Sequence, residues 1–229
     1  MGKGIMVIGA AILDVLARPV SMQVFEKGSH PVEELRLEVG GDAANEALVL
    51  AGLGKNVWLQ TVLGNDMAGR MVLESLRESG ERSFLTDPGG SLRKLGPEQL
   101  TFPFEKAIDI LSFASIFVSP GFGAAEMEKL FCRAKEQGVL VCADMTKPKN
   151  GEQEKDIAGA LRWVDYFFPN REEACMLTRE TDEEKAAVRL LNAGVKHVVI
   201  KCGGDGCLVA CVCGAKAVEC AGAARWVKM

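Results

Sequence analysis

The chain alternates between short apolar segments and amphipathic segments, and this alternation constrains its fold more than any other feature. Apolar runs typical of buried strands lie at 5–8, 57–63, 116–118, 139–142, 166–168 and 197–200. Helical spacing of apolar residues occurs between them: after residue 44, through Met71 and Leu76, through Ile108 and Leu111, through Met127 and Phe131, near 153–162, and after Pro169 and Thr181. Such alternation with short connections predicts an α/β fold with a mostly parallel central sheet and helices on both faces.

The segment between the first strand and residue 40 follows a different pattern. Residues up to Pro31 predict an irregular stretch, and the polar–apolar alternation at 34–39 predicts a half-exposed strand. Without further strands beside it, such a strand would form an exposed and marginally stable edge.

Composition restricts both the size and the class of the protein. The chain has 229 residues, of which 48% are apolar and 25% charged, with a net charge of −4. This suits one globular domain spanning 1–229, or a domain with a small appendage. The mild acidity argues against nucleic-acid binding, and no basic run interleaved with aromatic residues opposes that. No apolar stretch is long enough to span a bilayer, and Asp14 interrupts the apolar run that would otherwise imitate a signal peptide.

The eight cysteines contain no Cys-x-x-Cys pair, and the chain has only two histidines. Cys207, Cys211 and Cys213 share a parity and would line one face of a strand, which leaves a zinc site as an alternative. Buried, reduced thiols in a cytoplasmic protein account better for the same residues.

A diglycine opens the first helix. Gly40 and Gly41 allow the backbone to pass close to a ligand, and the alanine-rich helix behind them presents free N–H groups at its start. Asn45, one turn into this helix, can offer its amide to a hydroxylated substrate. A glycine-rich loop preceding a core helix is the structural alternative.

This segment resembles the diglycine–asparagine signature of the PfkB/ribokinase family of carbohydrate and nucleoside kinases. The resemblance implies a ribokinase-like fold, with substrate hydroxyls bound by Asp14, Gly41 and Asn45. A carboxylate such as that of Asp14 accepts two hydroxyl hydrogen bonds at once, which suits a vicinal diol. Gly64, Asp66 and Gly69 match the family's Gly-x-Asp-x-x-Gly turn, in which the aspartate serves as a helix cap.

The second half of the chain resembles the family's nucleotide site. Asn170 and Glu173 match its Asn-x-x-Glu motif, which implies that Glu173 orients Mg²⁺ through bound water, although a helix-capping box gives the same pattern. Lys201, Gly203 and Gly206 match the strand and glycine turn beside the nucleotide. The resemblance thus implies ATP and Mg²⁺ as cofactors and a sugar or nucleoside as substrate.

Two parts of the family pattern have no match. The Gly-Ala-Gly-Asp segment, whose aspartate is the family's general base, is not found, and the chain instead runs through 218–229, so no catalytic residue is assigned. Lid strands that relatives carry before a Gly-Glu-Arg turn are missing at 80–82, leaving a reduced lid near 18–40. Phosphoryl transfer depends on positioning and charge stabilisation, so the chain as written is expected to be weakly active or inactive.

Three functional hypotheses follow. The first is a carbohydrate kinase, or within the same family a nucleoside kinase, and the second is a non-catalytic remnant that binds sugar or nucleotide. The third, a nicotinamide-dependent enzyme, is disfavoured because residues 9–14 lack Gly-x-Gly-x-x-Gly spacing. Relatives commonly dimerise through lid strands, and the short lid leaves a homodimer open.

Overall fold

The computed structural model describes residues 4–78, 83–85, 94–100, 108–211 and 225–227. Nine strands form the main sheet, in the order β11-β10-β9-β8-β7-β6-β1-β4-β5. Their bounds are β1 Gly4–Ile8, β4 Val57–Gln60, β5 Ser83–Leu85, β6 Ile108–Ile116, β7 Leu140–Met145, β8 Tyr166–Phe167, β9 His197–Lys201, β10 Cys207–Cys211 and β11 Arg225–Val227. All neighbours from β9 to β5 are parallel, whereas β10 is antiparallel to both β9 and β11.

The order of the strands reverses at β1, because later strands are added on both sides of it. The chain first adds β4 and β5 on one side of β1, and later adds β6 to β9 on the other. Right-handed crossovers therefore place the helices of the two halves on opposite faces. The helices are α2 Asp42–Gly52 and α3 Met67–Glu78 in the first half, and α4 Ala124–Glu136, α5 Ala158–Leu161, α6 Arg171–Thr178 and α7 Glu183–Asn192 in the second.

Each set of helices buries its own hydrophobic cluster. The larger cluster packs α4, α6 and α7 against one face of the sheet, with Phe131, Phe167 and Leu190 fully buried at its centre. The smaller cluster packs α2 and α3 against the other face, through Ala43, Ala47 and Leu59 among others. Among the residues that the structure describes, no helix is long and apolar enough to cross a membrane.

The predicted strand at 34–39 is confirmed as β3, Glu34–Gly40, but the irregular stretch predicted before it is wrong. Residues Ile12–Arg18 form β2, which pairs with β3 over its full length in a separate antiparallel sheet, and Gln23–Lys27 form the short helix α1. β3 is therefore not an isolated edge. One side of this two-stranded lid is entirely apolar, and there Val15 is 61% and Leu35 64% exposed.

A helix predicted through Ile108 and Leu111 is also wrong, because these residues lie in β6, a nine-residue strand between β1 and β7. A central parallel strand is buried on both faces, so its apolar residues follow each other without the alternation that marks a half-exposed strand. The segment predicted as a helix near 153–162 is a 3₁₀ turn at Glu154–Ile157 followed by α5.

The strand predicted at 116–118 is wrong as well, because Ile116 is the last residue of β6 and Phe117 and Val118 lie in a turn. The other predicted strands and helices are present, with bounds shifted by a few residues at their ends. Residues 80–82 and most of 218–229 lie outside the described residues, as do Cys213 and Cys220. The assignment of 1–229 as one incomplete domain with a lid remnant near 18–40 stays a prediction.

The buried carboxylate of Asp165 joins β7, β8 and β9 at the amino edge of the sheet. Its side chain is 3% exposed and accepts hydrogen bonds from Lys135 Nζ (2.6 Å), Lys196 Nζ (2.8 Å) and Val141 N (2.8 Å). Burial alone would raise the pKa of Asp165, but the two lysines and the backbone N–H outweigh it and hold the pKa below its usual range.

We expect Asp165→Asn to lower the free energy of unfolding by about 2–3 kcal/mol at pH 7, because the buried ion pairs lose their negative partner. A carboxyl group with a lowered pKa stabilises the fold above its unfolded pKa and loses that contribution as the pH falls through its folded pKa. The difference between wild type and variant should therefore shrink below about pH 4, as measured by urea unfolding across pH. The control is Glu128→Gln, which removes an exposed ion pair with Arg162 and should change stability little. A variant as stable as wild type at pH 7 would contradict the role given to Asp165.

Candidate functional site

A cavity of about 500 Å³ lies where α2 meets the carboxyl ends of the central strands. Polar residues from four elements line it: Asp42, Asn45 and Glu46 from α2, Ser112 from β6, Asp144 from β7 and Lys201 from β9. In open parallel sheets the crevice at this edge, where the order of strands reverses, is the usual ligand site. Here the reversal falls between β1 and β6.

The diglycine lets α2 approach the end of β1. Gly41 has φ of +95°, and a Cβ built there would lie 2.6 Å from the carbonyl oxygen of Ala10. A Cβ on Gly40 would lie 2.0 Å from the Asp14 carboxylate. Ala44 N donates to Ala10 O (3.1 Å), which fixes the first turn of α2 against the strand end. Both glycines thus have a packing reason to be glycine, whatever ligand they approach.

The predicted substrate residues take different positions around this point. Asn45 is exposed and lines the cavity. Asp14 is half-buried on β2, not in a loop, and pairs directly opposite Glu38 on β3. It is not among the residues that line the cavity, and its carboxylate instead lies against Gly40. Asp14, Gly41 and Asn45 therefore lie along one path from the lid to the start of α2.

Asn170 and Glu173 form a reciprocal capping box at the start of α6. The Asn170 side chain accepts from Glu173 N (2.9 Å), and the Glu173 carboxylate accepts from Asn170 N (2.8 Å). This is the alternative that the sequence pattern left open, and it gives both residues a structural role. A role of Glu173 towards Mg²⁺ stays a prediction. Each carboxylate oxygen has more than one lone pair, so capping does not use up its capacity.

Lys201 ends β9 at the same edge and pairs with a carboxylate that the sequence analysis missed. Its Nζ lies 2.5 Å from Asp144 Oδ2, and its backbone N donates to Pro169 O (2.9 Å), next to Asn170. The signal that could have found Asp144 is an acidic residue at the carboxyl end of a buried strand. The predicted strand ended at 142, which left Asp144 in a loop.

Three carboxyl groups near Lys201 have raised pKa values. Burial is the main cause of the raised pKa of Glu46, Asp144 and Glu173. Lys201 opposes the shift of each, whereas Asp144 adds to the shifts of Glu46 and Glu173 by repulsion. The site thus concentrates acidic groups around one ammonium, which suits a ligand that carries a cation.

Within the described ranges, no group of three or more His, Cys, Asp or Glu side chains could by itself hold a metal ion. Mg²⁺ usually keeps several waters and binds proteins through one or two carboxylates together with substrate phosphates. The residues present therefore fit Mg²⁺ held through water and phosphate, and do not fit a metal held by protein ligands alone.

The glycine turn after β9 is open on its outer side. Gly203 and Gly206 have φ of +59° and +88°, and no atom lies within 4 Å of a Cβ built on Gly203. Cys202 N donates to Gly206 O (2.8 Å), which closes the turn between β9 and β10. Backbone at Gly203 is thus accessible to a ligand approaching beyond Lys201.

Comparisons with known proteins show what the sequence and the fold are similar to. The sequence matches the family model described as pfkB family carbohydrate kinase over residues 3–80 and 77–225. An uncharacterized sugar kinase of Archaeoglobus fulgidus is 27% identical over 132 residues, covering 58% of this chain and 51% of that relative. The chain therefore spans about half the length of this curated relative.

Solved structures show the same fold. Ribokinase from Thermotoga maritima superposes with a TM-score of 0.73 at 21% identity, covering 100% of this chain and 78% of that one. Adenosine kinase from Sinorhizobium meliloti gives a TM-score of 0.72 at 18% identity, covering 99% and 80%. The predicted ribokinase-like α/β fold is confirmed.

Gly41→Ala should destabilise the protein, because alanine must adopt a left-handed conformation and its Cβ meets the Ala10 carbonyl. The backbone conformation alone costs about 1–3 kcal/mol. Gly52→Ala, at the other end of α2, is a matched control, since no atom lies within 4 Å of its Cβ. Alanine there should be neutral or stabilise the helix by up to about 1 kcal/mol. Urea unfolding of the two variants compares them directly, and equal stabilities would show that α2 does not depend on its approach to β1.

Proposed function

Because the chain belongs to the PfkB family of carbohydrate kinases, we propose that its site serves ATP-dependent phosphorylation of a sugar or sugar-like hydroxyl, with Mg²⁺ as cofactor. The observation that carries this proposal is the cavity that brings Asn45, from the first half of the family pattern, to Lys201, from the second half. Transfer of a phosphoryl group between two bound molecules requires that the substrate site and the nucleotide site share one cavity.

On the substrate side, we assign hydroxyl binding to Asp14, Gly41 and Asn45. The Asp14 carboxylate accepts hydrogen bonds and the Asn45 amide both donates and accepts, so the two complement the hydroxyl groups of a polyol. Gly41 supplies backbone that a substrate can approach closely. The positions of the three residues support this assignment. Asp14 lies on the lid strand β2, Gly41 directly precedes α2, and Asn45 lies in the first turn of α2.

On the nucleotide side, we assign Asn170, Glu173, Lys201, Gly203 and Gly206. The Lys201 ammonium can exchange Asp144 for a phosphate oxygen, and the open turn at Gly203 admits the nucleotide. Glu173 would hold Mg²⁺ through a bound water, and the ion, when bound, neutralises charge on the transferring phosphoryl group.

We further propose that the 229-residue chain is weakly active or inactive. Residues 1–229 contain no Gly-Ala-Gly-Asp segment, and the family resemblance assigns the general base to the aspartate of that segment. A chain that still binds sugar and nucleotide but lacks this base would be a non-catalytic binding remnant, which is the second candidate function. A nucleoside kinase is the alternative within the family, since the solved neighbours include both a ribokinase and an adenosine kinase.

The proposed partners are small molecules. We also propose a cytoplasmic location, because within the described ranges Cys132, Cys142, Cys175, Cys202 and Cys207 form no disulfide. A homodimer through the lid is also proposed. The exposed apolar side of the lid, which contains Val15, Leu35 and Leu37, is the observation that favours it.

Calorimetry of the chain against a panel of sugars and nucleosides tests the proposed substrate-binding site. Asp14→Asn and Asn45→Ala should each weaken binding of the best ligand about 10-fold or more. The first removes the charge and one of two acceptor oxygens, and the second removes the amide. Glu38→Gln is the control for Asp14, since Glu38 lies directly opposite it on the lid, and binding should not change. ADP formation by the same samples distinguishes a kinase from a non-catalytic remnant. If no sugar or nucleoside of the panel binds, both candidate functions are contradicted.

Glu173→Gln tests the magnesium role apart from the capping role. Glutamine can still accept from Asn170 N, so the melting temperature should change by no more than about 2 °C. Affinity for Mg-ATP should fall about 10-fold, whereas affinity for ATP with the metal chelated should not change. Glu172→Gln, an exposed neighbour paired with Lys147, should alter neither. A loss of stability without any metal-dependent change would leave Glu173 with a structural role only.

A further inference from the structure

Arg171, the first residue of α6, contacts carboxylates on two other elements. Its Nη2 atom lies 3.1 Å from Glu183 Oε1, at the start of α7, and 3.4 Å from Asp205 Oδ2, in the glycine turn after β9. The side chain of Glu183 is 16% exposed, whereas that of Asp205 is 69% exposed. One guanidinium nitrogen thus bridges a half-buried carboxylate in the helical layer and an exposed carboxylate at the proposed nucleotide site.

The position of Arg171 is fixed from both its backbone and its side chain. Asn170, directly before it, belongs to the capping box that begins α6. Desolvation would lower the pKa of Arg171, but the carboxylate of Glu183 and the side chains of Cys202 and Asp205 outweigh it and raise the pKa above its usual range. The guanidinium is therefore held, fully charged, among its acceptors and offers the glycine turn a fixed point of attachment.

The outer part of the glycine turn is open. Three of the residues 202–206 are glycine, and a Cβ built on Gly203 or Gly204 meets no atom within 4 Å. In the described part of the chain, Asp205 forms the only ion pair that ties this turn to another element. Glycine loses more conformational freedom on ordering than any other residue, so this one external contact strongly influences which shapes the turn adopts.

The glycine turn is also where the proposed function places the nucleotide. A ligand that binds a flexible segment must order it, and a contact that orders the segment in advance lowers this cost. The Asp205 carboxylate by itself would repel a triphosphate. Because Arg171 pairs with Asp205, it both restrains the turn and offsets this repulsion.

We propose that Arg171 is a positioning residue for the nucleotide. Through its contact with Asp205 it holds the glycine turn in the shape that receives ATP, while Glu183 holds Arg171 in place from α7. Arg171 and Asp205 occupy positions that the Asn-x-x-Glu motif and the glycine turn leave unspecified, so this role belongs to this chain and not to the family pattern. The inference rests on the proposed function, because it requires that ATP binds at the glycine turn.

Calorimetry with Mg-ATP tests the contact in wild type, Asp205→Asn and Asp205→Glu. We expect Asp205→Asn to weaken ATP binding about 3- to 5-fold, which is within the range of one exposed ion pair, and to leave binding of the best sugar or nucleoside unchanged. Asp205→Glu keeps the carboxylate and should restore ATP binding. The direction of the change is informative, because removing a negative charge without any effect on positioning would tighten the binding of an anion.

A double-mutant cycle assigns the effect to the pair. Arg171→Gln should weaken ATP binding at least as much as Asp205→Asn does. In the Arg171→Gln background, Asp205→Asn should cause no further weakening, because the contact is already lost. Glu172→Gln, which removes the neighbouring exposed ion pair with Lys147, is the matched control and should not weaken ATP binding.

Hydrogen exchange of the free protein reports on the turn without nucleotide. The amides of Cys202 and Gly206 donate hydrogen bonds within the turn and should exchange several-fold faster in Asp205→Asn, whereas the amide of Val209, in β10, should keep its rate. Unchanged exchange at the two turn amides, or ATP binding that Asp205→Asn leaves equal or tightens, overturns the inference and leaves the proposed function standing. If wild type binds no ATP, the proposed function fails and the inference fails with it.

Discussion

The close approach of Gly41 to the carbonyl of Ala10 sets the distance between α2 and the end of β1. Because no side chain separates them, α2 begins directly over the end of β1, and Ala44 can donate its N–H to Ala10. Asn45 and Glu46 then line the cavity together with Asp144 of β7 and Lys201 of β9. A larger residue at 41 would move the whole helix and with it one wall of the site.

Around that wall, the electrostatics of the site depend on a single ammonium. Lys201 lies among the carboxylates of Asp144, Glu46 and Glu173, all of which burial makes harder to ionise. A ligand that brought cations with its phosphates would relieve this accumulation of negative charge and release Lys201 from Asp144. The free protein therefore holds its acidic groups in an arrangement that is more favourable when a metal–phosphate group is bound.

Most of the sheet could be predicted from the sequence, because β1, β4, β7 and β9 are short apolar runs between clear helices. β6 was mistaken for a helix because a strand buried on both faces has no periodicity of two. β2 was missed for the opposite reason: its residues are exposed or half-buried on both sides, so no core pattern marks it. Of the site, the diglycine and Asn45 were found by their local chemistry. The link between Asp144 and Lys201 was not, since only the folded sheet brings residues 57 positions apart into contact.

The reciprocal hydrogen bonds between Asn170 and Glu173 have a consequence for how such sequences evolve. Selection for a stable α6 is enough to retain both residues, and the Cβ clash at position 41 is likewise enough to retain its glycine. A lineage that had lost catalysis would go on displaying these signatures for as long as it needed to fold. The motifs at these positions therefore indicate the ancestry of the chain, and they do not by themselves indicate catalysis.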